Sequence, residues 1–258
     1  MAVYLWAVIH DRPTDWACDP INWPKGFWRG KLPSQSTMSR RLQTTEVQSL
    51  LASMERRLAA LDRGGFVMLV DGKPLLVGSH SKDPDAKWGR ARRGWAKGYK
   101  FHALYGAGSV PLSWQVAPLN AAEPEVAASL IPSVRRGGYI LGDSSYDSNP
   151  LHDVSLAVGC QLIAQRKRPH SGLGHRRHSP GRLRSIALLQ RRFGQALYGF
   201  REQVERQFAW LTNHGGGLAP LPNWVRRLPR VRQWIQAKLL VHATYVYLTS
   251  SPLSLAVE

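Results

Sequence analysis

The sequence contains little cysteine, few acidic residues and no long apolar run. Its two cysteines, Cys18 and Cys160, cannot build a disulfide framework or a four-cysteine zinc site. No apolar run approaches the roughly 20 residues that a membrane-spanning helix requires, and no charged, then apolar, then small-residue leader opens the chain. We therefore predict a soluble, cytoplasmic protein with no membrane partner.

Basic residues outnumber acidic residues two to one. The chain has 35 Lys and Arg against 17 Asp and Glu, a net charge of +18 and a pI near 10.7. An imbalance of this size indicates a polyanionic partner, and nucleic acid is the first candidate. The length of 258 residues, 43% of them hydrophobic, allows one large domain with a small helical region beside it.

The N-terminal zone, residues 1–62, is predicted to be mainly helical. Between residues 34 and 62, apolar side chains recur every three or four residues, which is typical of an amphipathic helix. The segment PSQSTMSRRL, residues 33–42, has hydroxyl residues suited to capping followed by two arginines. It either opens a DNA-contacting helix or forms the solvated face of a packing helix.

The middle zone changes to the pattern of strands. The apolar run FVMLV ends in Asp71, and we expect a turn after it and a hairpin partner at PLLVG. Further strands are predicted at 98–106, 111–119, 139–141 and 160–165, with a helix at 122–134. This order predicts a mixed α/β domain over residues 63–250, with a sheet whose strand ends could carry a site.

Three acidic residues stand in similar surroundings. Asp71 and Asp143 each follow an apolar run, and Glu205 lies on the margin of a helical pattern in LYGFREQVERQFAWL, residues 197–211. Each alone has a plainer explanation as a turn, a helix cap or a surface ion pair. If the three converge, their mutual repulsion is relieved by divalent cations, and ligands that are all oxygen favour Mg²⁺ or Mn²⁺. Glu202, one turn from Glu205, could replace it as the third ligand.

These motifs resemble those of the DDE transposases of bacterial insertion sequences, whose catalytic core has an RNase H-like fold. The resemblance rests on FVMLVDGKPL, on LGDSSYDS and on a Y-x2-R-x3-E-x6-K pattern. Tyr198, Arg201 and Glu205 fit that pattern, whereas Thr212 stands at its lysine position. Many such transposases carry a longer N-terminal DNA-binding region, so this copy is expected to be short there.

The resemblance implies metal-dependent cleavage and strand transfer of DNA. Asp71, Asp143 and Glu205 would hold two Mg²⁺ or Mn²⁺ ions, while Tyr198 and Arg201 would contact DNA phosphates. The implied partners are the DNA ends of the element, the target DNA in the nucleoid, and a second copy of the chain in a homodimer. Gly142, directly before Asp143, and the two serines directly after it are expected to leave space for a DNA backbone.

A basic segment lies between the second and third acids. Residues 154–201 contain no acidic residue, and we predict a basic insertion at about 166–195 that contacts DNA. The residues expected to bind DNA there are Arg166, Lys167, Arg168, Arg176 and Arg177. Three histidines with loosely ligand-like spacing, His170, His175 and His178, are interpreted as phosphate-facing loop residues because no cysteine pair or carboxylate accompanies them.

Two other functions remain open from the residues. A catalytically decayed DNA-binding remnant or repressor would keep the basic surface without metals, as Thr212 suggests. An RNase H-like nuclease would use the same carboxylates on a different nucleic acid.

Overall fold

The chain, described here by a computed structural model, forms two compact units. The described residues are 1–28, 30–60, 65–91, 94–106, 108, 110–134, 137–175, 177–203, 206, 218 and 221–250. The helical unit comprises Met1–Leu61 and Trp210–Glu258, and the sheet unit comprises Asp62–Ala209.

The elements of the described residues follow in chain order. The helices are α1 (Ala2–Ile9), α2 (Thr14–Ala17), α3 (Gln35–Leu42), α4 (Thr45–Ala59), α5 (Glu123–Leu130), α6 (Asn149–Ala157), α7 (Pro180–Leu189), α8 (Arg192–Gly199) and α9 (Leu228–Ser250). The strands are β1 (Val67–Leu76), β2 (Lys87–Ala91), β3 (Gly94–Tyr105), β4 (Pro111–Pro118), β5 (Gly138–Gly142) and β6 (Cys160–Ala164). No helix among the described residues is long and apolar enough to cross a membrane.

The helical unit is held by packing of α9 against α1 and α4. Tyr4 of α1 meets Trp234 of α9 edge to face, with ring centroids 6.5 Å apart. Lys238 Nζ of α9 lies 2.6 Å from Asp11 Oδ1, just after α1. On the other side, Gln236 Nε2 donates to Glu55 Oε2 of α4 over 2.6 Å. Buried apolar packing and these polar contacts join residues from the two ends of the sequence.

The sheet unit is built around β1. On one side β1 pairs antiparallel with β3, which also pairs antiparallel with β2 and β4 along its other edge. On the other side β1 pairs in parallel with β5, and β5 pairs in parallel with β6. This mixed sheet, flanked by helices, confirms the predicted α/β class.

One face of the sheet packs against α5 and α6. The core there contains Met68 and Val70 of β1, Ile140 of β5, Leu130 of α5 and Leu151 of α6, all nearly or fully buried. Because side chains alternate along a strand, the residues between them on β1 point to the opposite face. Leu69, Asp71 and Lys73 therefore share that second face.

The predicted turn after Asp71 is wrong. β1 runs without interruption from Val67 to Leu76 and is paired with β3 along most of that length. Gly72 is needed for close packing, since a Cβ at this position would lie 2.8 Å from Cδ of Lys100. The turn-like composition of this stretch is overridden by pairing with a neighbouring strand, which no local pattern reveals.

Two predicted helices are interrupted. The pattern over residues 34–62 forms two helices, because Thr44 ends the first segment and caps α4 with its hydroxyl. In residues 197–211, helix α8 ends at Gly199, and the described residues 202, 203 and 206 are helical again. Of that stretch, residues 204, 205 and 207–211 lie outside the described residues.

We expect Gly98→Ala to lower the free energy of unfolding by about 1–3 kcal/mol, because an added Cβ would lie 2.4 Å from the carbonyl oxygen of Leu75 and overpack the β1–β3 pair. Gly78→Ala is the control: it has no atom within 4 Å of the new Cβ and should change stability by less than about 0.5 kcal/mol. Urea unfolding followed by circular dichroism measures both, and equal midpoints would contradict the expectation.

Candidate active site

Asp71 and Asp143 are brought together by the register of β1 and β5. The parallel pairing sets Leu69 opposite Leu141, so two residues further along the chains Asp71 and Asp143 come side by side. β5 ends at Gly142, which leaves the edge of β1 open beside Asp71. The two predicted carboxylates therefore meet where the carboxyl end of a strand opens a site.

The Asp143 side chain is fixed by the residues that follow it. Its Oδ1 accepts the backbone N–H of Ser145 over 2.7 Å and also the hydroxyl of Ser145. Asp143 thus caps a short 3-10 helix, Ser144–Tyr146. The capping role considered from the sequence is real, and it holds the carboxylate in one orientation next to Asp71.

The surroundings of Asp71 disfavour its ionised form. Its pKa is raised to about 6, chiefly by burial; the N–H of Gly72 and the charge of Arg201 lower it, and the neighbouring carboxylates of Asp143 and Glu123 raise it. The Gly72 N–H donates to Asp71 Oδ1 over 2.7 Å. A positive charge placed beside this carboxyl would stabilise its ionised form and lower its pKa.

Three residues at this site were missed from the sequence. Lys100 of β3 and Glu123 at the start of α5 form an ion pair that is largely removed from solvent. The Ser145 hydroxyl lies between the carboxylates of Glu123 and Asp143, within hydrogen-bonding distance of both. Burial alone would raise the pKa of Glu123, but the hydrogen bonds from Lys100 and Ser145 outweigh it and lower that pKa. The one local signal was Lys100 among the aromatic and apolar residues of the run YKFHALY in β3.

Gly142 does not leave the open space expected for a DNA backbone. A Cβ there would lie 2.9 Å from Cδ2 of Tyr146, whose ring is fully buried. Because Gly142 has no side chain, the Tyr146 ring can pack beneath the end of β5 in the protein core. The glycine thereby helps to hold the Asp143 turn in place.

Tyr198 and Arg201 lie beside the two aspartates. The Tyr198 hydroxyl, on α8, donates to the carbonyl of Gly142 over 3.2 Å and links α8 to the end of β5. Its proton is engaged within the protein, so a phosphate contact would require this bond to be exchanged. Arg201 is close enough to Asp71 to lower that residue's pKa. The spacing of Tyr198 and Arg201 therefore brings both residues to the predicted site.

The third predicted acid, Glu205, lies outside the described residues, as do Thr212 and Arg176. Glu202, the alternative third ligand, is exposed. Among the described residues, no group of three or more His, Cys, Asp or Glu side chains is placed to hold a metal ion. Asp71 and Asp143 nevertheless supply the kind of donor set that Mg²⁺ uses, since this ion binds through one or two carboxylates together with water and phosphate oxygens.

The basic segment is anchored at both ends to the turn that carries Asp143. Buried Asp147 accepts the Nε of Arg182 over 2.6 Å and the backbone N–H of Lys167 over 3.2 Å. Asn149 Oδ1 accepts the N–H of Ser179 over 3.1 Å. Because these bonds fix the two ends of residues 167–179, the segment starts and ends next to the strand end at Asp143.

The described cations of this segment differ in exposure. Lys167, Arg168 and Arg177 are exposed, whereas Arg166 is half-buried and donates to the carbonyls of Pro169 and Ser171. The exposed side chains are placed for a polyanion, and Arg166 shapes the loop that carries them.

One histidine of the segment also serves its shape. His178 makes a 2.8 Å hydrogen bond with the carbonyl of Leu173, and its other ring nitrogen lies 3.0 Å from Arg182 Nη1. His178 therefore lies in a loop as predicted, but both of its ring nitrogens contact the protein and neither is left to face a phosphate.

Comparison with known proteins agrees with this geometry. A family model described as a transposase DDE domain matches residues 63–242, well over half of the chain. A cryo-EM structure of a piggyBac transposase synaptic complex with hairpin DNA is similar, with a TM-score of 0.51 and 9% sequence identity. The match covers 88% of this chain and 56% of that chain, so the present chain spans little more than half the length of that protein. At this identity the likeness concerns the fold alone, and it confirms the predicted transposase fold. No curated protein matches the chain.

We expect Asp71→Asn to stabilise the metal-free protein at pH 8 by roughly 2–3 kcal/mol. The folded-state pKa of about 6 lies above the ordinary 3.8, so proton binding by Asp71 favours the fold below about pH 4, and that contribution is lost as the pH rises through 6. Asparagine cannot ionise, so the gain should shrink toward zero near pH 4. Urea unfolding with EDTA across this range measures it.

The control for this pH dependence is Asp153→Asn, which removes an exposed carboxyl on α6. Its effect on stability should stay small and nearly independent of pH. A gain for Asp71→Asn that is the same at pH 5 and pH 8 would contradict the assigned burial of Asp71.

We expect Arg182→Ala to lower the free energy of unfolding by about 3 kcal/mol, because it leaves the Asp147 carboxylate buried without its charged partner. The double variant Asp147→Asn with Arg182→Ala should recover part of the loss. Arg184→Ala, two residues along the same helix and exposed, is the control and should cost less than about 1 kcal/mol. Equal losses for both arginines in chemical unfolding would show that the Asp147 pair does not anchor the segment.

Proposed function

Because the chain belongs to the transposase DDE domain family, we propose that it is a transposase that catalyses metal-dependent DNA cleavage and strand transfer for a bacterial insertion sequence. The observation that carries the proposal is the adjacency of Asp71 and Asp143 at the end of β5. Family membership provides the reaction class, and the carboxylate pair gives it a location in this chain.

Asp71 and Asp143 would hold Mg²⁺ or Mn²⁺ together with Glu205. A pair of such ions activates the attacking water or hydroxyl and stabilises the leaving oxygen of a phosphodiester. Asp143 is suited to this role because Ser145 fixes its orientation, and Asp71 because its ionised form is stabilised by an added positive charge. The Lys100–Glu123 pair next to them is internally neutralised, so it adds little net charge to the pocket.

Tyr198 and Arg201 would place the scissile phosphate. A guanidinium suits a pair of phosphate oxygens, and Arg201 lies beside Asp71, where that phosphate would meet the ions. Tyr198 would act from the end of β5, where its hydroxyl meets the carbonyl of Gly142. Lys167, Arg168 and Arg177, together with Arg166 and Arg176, would bind the DNA backbone further from the reacting atoms.

The partners in this proposal are the two DNA ends of the element, the target DNA and a second copy of the chain. The net charge of +18 supports binding to DNA in the nucleoid. A homodimer would allow the two ends to be joined in one complex, each served by its own pair of aspartates.

Cleavage assays with the purified chain test the function. A supercoiled plasmid that carries the DNA flanking the gene should be nicked or joined with Mg²⁺ or Mn²⁺ and remain intact with EDTA. Asp143→Ala should reduce the rate by roughly two orders of magnitude or more, because a metal ligand is lost, and leave DNA affinity within about twofold. Asp153→Ala is the control, since this aspartate of α6 is exposed and outside the proposed site, and the variant should retain full activity.

The alternatives give different outcomes. Undiminished cleavage by Asp143→Ala would remove Asp143 from the site. A parent chain that binds DNA tightly but neither cleaves it nor binds Mn²⁺ in a direct titration would be the decayed DNA-binding protein. Cleavage of RNA or of an RNA–DNA hybrid in preference to DNA would indicate the RNase H-like nuclease.

A further inference from the structure

We propose that the β2–β3 ribbon, defined as Lys87–Ala91 with Gly94–Lys97, enters the major groove of DNA. This inference rests on the proposed function in taking DNA as the partner. It adds a recognition element away from the carboxylate pair and away from the basic segment 167–179.

The ribbon extends past the rest of the sheet. β1 pairs with β3 from Tyr105 only as far as Gly98, and β4 pairs with β3 only as far as Tyr99. Residues 94–96 of β3 therefore pair with β2 and with no other strand that the structure describes. Two strands alone form this part of the sheet, and a two-stranded ribbon has the width that the roughly 12 Å major groove admits.

The two faces of the ribbon differ sharply. On one face Gly89, Ala91, Gly94 and Ala96 are small, with Lys87 at the end of the ribbon. Gly89 is buried, and a Cβ there would lie 2.6 Å from the carbonyl oxygen of Leu119. This face rests on the chain that follows β4. The opposite face is set by the register, which puts Trp88 opposite Lys97 and Arg90 opposite Trp95. These four residues form the outer face of the ribbon.

The outer face is unusual for a protein surface. Trp88 is 51% exposed and Trp95 is 76% exposed, although tryptophan normally buries most of its large ring. Two tryptophans alternate with two cations in a checkerboard. Such a face fits a partner that offers both flat apolar groups and negative charge.

DNA offers both. Trp rings can contact thymine methyl groups and sugars in the major groove, while Arg90, which is exposed, can reach phosphates or guanine edges. Lys97 is half-buried and its Nζ donates to the carbonyl of Ser81 over 2.6 Å, so this bond would have to be exchanged before Lys97 contacts DNA. The charge of the ribbon is complementary, because the sequence of residues 87–97 contains five basic residues and no acidic residue. An acidic protein would match the cations but would not require the exposed rings in alternation.

Binding of a fluorescein-labelled mixed-sequence duplex of about 25 bp, roughly two and a half helical turns, tests the ribbon. EDTA is present so that no cleavage occurs. The double variant Trp88→Ala with Trp95→Ala should bind about tenfold or more weakly with an unchanged salt dependence. Arg90→Ala should weaken binding and lower the slope of log Kd against log salt by about one, as expected for one lost phosphate contact.

Matched controls separate contact from folding. Tyr247→Ala removes an exposed aromatic ring from α9, and Lys25→Ala removes an exposed cation, and each should bind within twofold of the parent. Trp88→Phe with Trp95→Phe should retain most of the affinity, since the aromatic faces remain. Relative to the parent, the urea unfolding midpoint of each ribbon variant should shift by no more than the midpoints of the control variants.

The groove is identified by chemical protection. The parent should protect guanine N7, a major-groove atom, from dimethyl sulfate, and the tryptophan double variant should lose part of that protection. Competition by a minor-groove drug in place of this protection would overturn the assignment.

The remaining outcomes distinguish this inference from the function. A parent that binds no duplex would overturn the proposed function together with the ribbon. A parent that binds DNA while the tryptophan and arginine variants bind equally well would overturn the ribbon alone. If those variants instead convert a dimer to a monomer in sedimentation with DNA binding intact, the outer face binds a second copy of the chain and the proposal is wrong.

Discussion

The parallel register between β1 and β5 is the constraint on which the site depends. It sets Leu69 opposite Leu141, and the alternation of side chains then places Asp71 and Asp143 on the same face at adjacent positions. A shift of one residue would turn one carboxylate into the apolar core. β3 holds this register from the other side, because it pairs with β1 on both sides of Asp71.

Charges around the site are compensated in two different ways. Lys100 and Glu123 neutralise each other, and Ser145 connects this pair to Asp143. Asp71 is compensated only in part, by the N–H of Gly72 and the charge of Arg201, and its pKa still rises to about 6, chiefly through burial. The acidic position with the least internal relief is therefore the one where an added cation would be stabilised most. The raised pKa of Asp71 thus distinguishes the aspartate pair from two carboxylates that only shape a turn.

The short turn after β5 serves both the site and the surface. Asp143 and Ser145 shape the pocket, while Asp147, four residues after Asp143, holds Arg182 and the start of the basic segment. Burial alone would raise the pKa of Asp147, but the hydrogen bond from Arg182 leads a set of interactions that lower it well below its ordinary value. The carboxylate therefore stays charged, and the cations remain next to the strand end.

Local patterns predicted the strands that contain apolar runs, because a buried strand needs apolar residues at neighbouring positions. They also singled out Asp71 and Asp143, which follow two of these runs. They failed where pairing overrode composition, as in the continuous β1 at Gly72. They also gave no sign of β2, whose Gly89 and Arg90 lack strand character until β3 pairs with them. Glu123 and Lys100 could not be found, since their meeting depends on how α5 packs against β3.

The sequence by itself determined most of the element types, the strong positive charge and the carboxylates proposed to bind a cation. These properties follow from neighbours a few positions apart, where helix and strand periodicity act. Only the tertiary structure decided which carboxylates meet, which charges are neutralised and which face of the β2–β3 ribbon is exposed. Each of those depends on a strand register between distant segments, and that register is set by the summed packing of the whole sheet.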